Sequence, residues 1–88
     1  MEIRVYGPLR AATGGKSVVV AVADDTPTVE EVLAAFVEAY PRAEGHLTDA
    51  NGDLQPSVRV TCEGERVELD ETVPAEGTIE LFPAMRGG

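Results

Sequence analysis

The chain has 88 residues, enough for one domain and too few for a second core. A domain of this size buries roughly 60–65 % of the surface its unfolded chain exposes, which leaves no room for a deep catalytic cleft. Sixteen acidic residues oppose seven basic ones, a net charge of −9 that argues against nucleic acid and anionic membranes as direct partners.

Glu2-Ile3-Arg4-Val5-Tyr6 alternates polar and apolar and reads as a half-buried strand, ended by Gly7-Pro8. Leu9 to Thr13 fits a short helical turn, with Gly14-Gly15 as the break. Ser17 to Val22 is β-branched and predicts a second strand, antiparallel to the first. Ala23 to Pro27 is a loop. Thr28 followed three residues later by Glu31 is a capping box at a helix start. Val29, Val32, Leu33, Phe36, Val37 and Tyr40 then recur at spacings of three and four, and Pro41 stops the helix near Tyr40. Arg42 to Leu54 reads as irregular, with a tight turn at Asn51-Gly52. Val58 to Cys62 alternates as a third strand. Glu63-Gly64-Glu65 is a turn into a short strand around Arg66-Val67. After a loop over 70–77, Thr78 to Phe82 is the last strand, closed by Pro83. The expected fold is therefore α+β: one main helix on a small mixed sheet in the β-grasp (ubiquitin-like) order. Residues 1–83 make the domain, and 84–88 a flexible Gly-Gly tail.

The composition carries two further readings. Lys16 is the sole lysine; the other six bases are arginine. An acidic, lysine-poor surface favours a halophilic cytoplasm, where charges are screened beyond ~3 Å at about 1 M salt; the alternative, compatible with it, is a docking surface for a basic partner. The lone Cys62 has no disulfide partner. No leader and no apolar run of the ~18 residues a membrane span needs is visible. The expectation is a cytoplasmic protein with no membrane contact.

Most catalytic constellations are missing. The single histidine, His46, and Cys62 make no zinc site, which needs about four ligands. Cys62 reads as a small apolar strand residue and His46 as a solvent-facing loop residue. The sequence around Gly14-Gly15-Lys16-Ser17 lacks the first glycine of a phosphate loop, since position 10 is Arg10, and a strand rather than a helix follows. No metal, bound cofactor or catalytic residue is expected. The informative segment is Arg86-Gly87-Gly88. Two glycines without Cβ make a thin thread that passes through a narrow channel. Residues Pro83 to Gly88 extend roughly 20 Å at ~3.3 Å per residue, presenting the carboxylate of Gly88.

Taken in order, Glu2 to Tyr6, Leu9 to Gly14, Thr28 to Leu33, Val58-Arg59-Val60 with Glu63-Gly64, and Leu81-Phe82-Pro83 ahead of Gly87-Gly88 resemble the ubiquitin-like MoaD/ThiS family over the whole chain. That family includes the small subunit of molybdopterin synthase and the small archaeal modifier proteins. The resemblance implies a non-enzymatic carrier. An activating enzyme consumes ATP to adenylate Gly88, and Gly87 and Arg86 thread its channel. The terminus then becomes a thiocarboxylate, which gives sulfur to molybdopterin (through the synthase large subunit) or to transfer RNA, or it forms an isopeptide bond with a lysine of a target protein. Phe82 and Pro83 are implied as the docking site, and Lys16 is the one possible side-chain acceptor on the protein itself. Two features depart from the family pattern: Ala84 stands where a second proline is common, and Arg86 before the glycines is more like ubiquitin. Carrier and modifier both remain open, as does an alternative, a β-grasp interaction module with no activated terminus. Alternation puts Ile79 and Leu81 on one face of the last strand and Phe82 on the other. Phe82 then either emerges as an anchor or tucks into the core edge.

Overall fold

The computed structural model describes residues 1–83, and residues 84–88 lie outside it. The elements run β1 (Glu2–Val5), α1 (Leu9–Thr13), β2 (Ser17–Val19), α2 (Val29–Ala39), a 3₁₀ helix (Pro41–His46), β3 (Arg59–Cys62), β4 (Glu65–Arg66) and β5 (Thr78–Phe82). The strands form one mixed sheet in the order β2-β1-β5-β3-β4. β1 and β5 are parallel, and the other neighbours are antiparallel. This is the β-grasp arrangement, with the last strand in the middle.

Register explains the core. Ile3 lies opposite Ile79 and Val5 opposite Leu81 across the parallel pair. Val60 and Cys62 pair with Leu81 and Ile79 on the other side. All six side chains are buried on one sheet face, in one cluster with Val29, Val32, Leu33 and Phe36 of α2. Of the stripe read from the helical period, Val29, Val32, Leu33 and Phe36 thus join the core, while Val37 and Tyr40 are only partly covered at its edge. The four N–H groups at the start of α2 that the helix cannot satisfy internally, those of Thr28 to Glu31, all find acceptors. Val29 and Glu30 donate to the carbonyls of Glu71 and Leu69. Glu31 donates to the Thr28 hydroxyl at 3.1 Å, while its carboxylate accepts from the Thr28 N–H at 2.8 Å. The capping box is formed in both directions.

Several local expectations change in the structure. The second strand ends at Val19 rather than Val22, although Val20 still exchanges hydrogen bonds with Met1. The segment after α2 is not wholly irregular: Pro41 opens a 3₁₀ helix, because proline is well placed in a first turn where no N–H is required. His46, expected in solvent, closes that helix and is half-buried. β4 starts at Glu65, because Glu63 and Gly64 alone make the turn. Both have positive φ, 51° and 83°, the two-residue geometry that matches strand twist and favours glycine. Ser17 opens a strand, consistent with setting aside a phosphate loop.

Candidate functional site

The outer face of the sheet, opposite α2, carries the alternate residues of each strand. Most are polar. Glu2 accepts a hydrogen bond from the Thr78 hydroxyl at 3.1 Å and lies 3.8 Å from the Arg4 guanidinium. Glu80 accepts from the Thr61 hydroxyl and from the Gly64 N–H. Arg59 and Arg66 stand on the same face, opposite Phe82 and Thr61 respectively. Arg4, Arg10, Arg59 and Arg66 thus gather on or beside this side of a strongly acidic protein, whereas the helix layer carries Glu30, Glu31, Glu38 and Glu44.

At the end of β5 the polar pattern breaks. Val5 lies opposite Leu81 in the parallel ladder, so the next residue of each chain, Tyr6 and Phe82, falls side by side on the outer face. Their rings stack with centroids 4.5 Å apart and planes 11° apart, an offset-stacking distance. The Arg10 guanidinium lies 5.3 Å from the Tyr6 ring centroid, within cation–π range, while its Nε donates to the Val5 carbonyl at 3.1 Å. Phe82 is half-buried by this contact. It neither stands free as an anchor nor enters the core edge; it forms a two-ring platform with a cation above it. Tyr6 was missed at the sequence level, although its place in the first alternating strand was clear. Only the parallel pairing of the first and last strands makes the two rings neighbours.

Pro83 is buried, and its Cγ would meet a Cβ added at Gly7 at 3.4 Å. Gly7 has φ +57°, a conformation that side chains disfavour. At the end of β5, Phe82 is thus stacked on Tyr6 and Pro83 lies beside the Gly7 turn. Gly88, Gly87 and Arg86 lie outside the described residues, as does Ala84. Lys16 is exposed immediately before β2, and its carbonyl accepts from the Val5 N–H at 2.9 Å.

Cys62 faces the core. Burial first, then the carboxylates of Glu63, Glu80 and Glu65, push its thiol above the ordinary value, which is the opposite of what an activated nucleophile needs. Among the described residues no group of His, Cys, Asp or Glu is placed to hold a metal, and no helix is long and apolar enough to cross a membrane.

No curated protein matches the chain by sequence search. Solved structures do match. The small archaeal modifier SAMP1 from Haloferax volcanii is 33% identical, with TM-score 0.89, covering 100% of this chain and 98% of that one. A structure of the Amycolatopsis orientalis BexX/CysO complex is 26% identical, with TM-score 0.76, covering 99% and 98%. Urm1 from Trypanosoma brucei shares the fold at 17% identity and TM-score 0.76, covering 99% and 93%. The model of the ThiS family matches residues 3–88, from the first strand through the two glycines. The chain belongs to the ThiS family, and is a ubiquitin-like sulfur carrier or modifier.

Proposed function

We propose that the carboxylate of Gly88 is the working group, and that the Tyr6–Phe82 platform holds the domain against an activating enzyme while the tail is loaded. One observation carries this reading: the family match runs through Gly87 and Gly88, the residues that follow the central strand of the sheet. In the first step a carboxylate oxygen attacks the α-phosphorus of ATP, and pyrophosphate leaves. The resulting acyl-adenylate is a strong electrophile. A sulfide equivalent attacks its carbonyl carbon and expels AMP, leaving a thiocarboxylate. A lysine amine of a target protein instead gives an isopeptide bond, with AMP and a proton released. The domain supplies no catalytic group. It positions the tail: Gly7 and Pro83 set the exit, and Tyr6, Phe82, Arg10 and Arg59 offer an aromatic, cationic surface beside it. The CysO neighbour was solved in complex with BexX, which supports a carrier that works in complex with a partner protein. The sulfur acceptors that fit are a molybdopterin-type precursor on a synthase large subunit and transfer RNA held by a thiolating enzyme.

Deleting Gly87 and Gly88 tests the proposal. The truncated protein should melt as the parent does, because both residues lie beyond the last strand. Incubated with cell extract and ATP, it should show neither the mass gain of one oxygen exchanged for sulfur nor adducts on other proteins. Sulfur transfer by the truncated chain would refute the assignment. The parent's products separate the two roles: thiocarboxylate marks a carrier and isopeptide adducts a modifier. A plain interaction module would retain its binding when residues are added after Gly88, whereas a loaded terminus would not function.

A further inference from the structure

On the opposite layer from the Phe82 platform, α2 and the 3₁₀ helix with its following loop enclose a groove of about 440 Å³. Its floor is apolar: Leu33, Val37, Leu47, Leu54 and Leu69. Leu47 is buried, while Val37, Leu54 and Leu69 are only half-covered. The walls are fixed by hydrogen bonds. A bridge joins Thr48 to Leu54. The Gln55 amide nitrogen donates to the Thr48 carbonyl at 3.0 Å, and the Asp49 carboxylate takes the N–H groups of Asn51 and Asp53. On the third side, the Glu30 N–H donates to the Leu69 carbonyl at 3.0 Å, which ties that leucine to the start of α2.

Carboxylates stand on both rims: Glu30 and Glu38 on α2, Glu44 and Asp53 across from them. All four are exposed, and among the described residues none is in a salt bridge. An apolar trough between two negative rims complements a segment with apolar residues on one face and lysine or arginine on both flanks. A neutral or acidic segment would leave these rims without partners. We propose that this groove docks a basic amphipathic helix of a partner protein. The groove lies on the helix layer, whereas Tyr6 and Phe82 lie on the outer sheet face, so both surfaces can be occupied together. The inference stands on the groove alone and does not depend on the chemistry at Gly88.

A fluorescent helical peptide with leucines on one face and lysines on its flanks is the probe. A scrambled peptide of the same composition is the control for simple attraction to an acidic protein. Binding is measured by anisotropy and located by amide chemical shifts. The expected result is preference for the ordered peptide, with shifts at Val37, Leu54 and Leu69. The double variant Glu38→Lys/Asp53→Lys should weaken binding about tenfold or more relative to Glu65→Lys/Glu76→Lys, which makes the same change in net charge away from the groove. At about 1 M salt, where the rims are screened beyond ~3 Å, the floor should still hold the ordered peptide more tightly than the scrambled one. The proposal is overturned by equal binding of the two peptides, by equal losses in the two double variants, or by shifts on the outer sheet face. Shift mapping on the unaltered protein decides the matter even where a variant unfolds.

Discussion

Replacing Phe82 by alanine removes a ring that is largely in contact with the fold and in part open to a partner. Full burial of a large apolar side chain contributes about 1.5–3 kcal/mol, so a partly covered one such as Phe82 contributes roughly 1–2 kcal/mol. Stacking on Tyr6 at 4.5 Å adds about 0.5–1.5 kcal/mol. The expected cost is therefore about 2 kcal/mol, well below the ~3–5 kcal/mol for truncating a fully buried phenylalanine such as Phe36. At about 4–8 °C per kcal/mol for a domain of this size, Phe82→Ala should lower the melting temperature by roughly 8–16 °C. A double-mutant cycle with Tyr6→Ala isolates the ring pair, and its coupling should be about 0.5–1.5 kcal/mol. Adenylation is then assayed at a temperature where all variants are folded. There Phe82→Ala should lose activity beyond what its stability explains. A melting loss as large as that of Phe36→Ala, a coupling of zero, or adenylation at the parent's rate would each refute the reasoning.

Thr28→Ala removes one direction of the capping box and should destabilise the protein by about 1 kcal/mol, read as a lower urea midpoint at unchanged slope. The raised Cys62 thiol stays protonated in the folded protein when the unfolded chain has begun to ionise. Stability should therefore fall as pH climbs through about 8.5 and above, and alkylation should be slow until denaturant is added; rapid alkylation of the folded protein would contradict this. Where a conjugating extract links copies of this protein to one another, Lys16→Arg should leave only linkage through the N-terminal amine of the acceptor copy, since the chain has no other lysine, while conjugation to other proteins continues; a side-chain branch between copies found by peptide mapping in that variant would exclude Lys16 as the acceptor.

Much of the architecture is local and so can be read from the chain. The capping box, the helical stripe and the limits of β5 depend on residues within a few positions of one another. What escapes the sequence is long-range. Tyr6 and Phe82 are separated by nearly the whole chain, and only the parallel ladder brings them together. The 3₁₀ helix and the groove beside it escape for a different reason. Their apolar residues, Leu47, Leu54 and Leu69, follow no single period; they converge because a loop folds back onto α2.

The central position of β5 has a mechanical consequence. A partner that holds the tail and pulls transmits force along the strand axis, through Pro83 into Phe82. β5 is bonded on both sides, parallel to β1 and antiparallel to β3. Tension along it therefore shears two ladders at once, instead of peeling one edge bond by bond. An edge strand such as β2, with three residues and one neighbour, would detach under far less load. A load applied beyond Pro83 is thus shared between two ladders of the sheet.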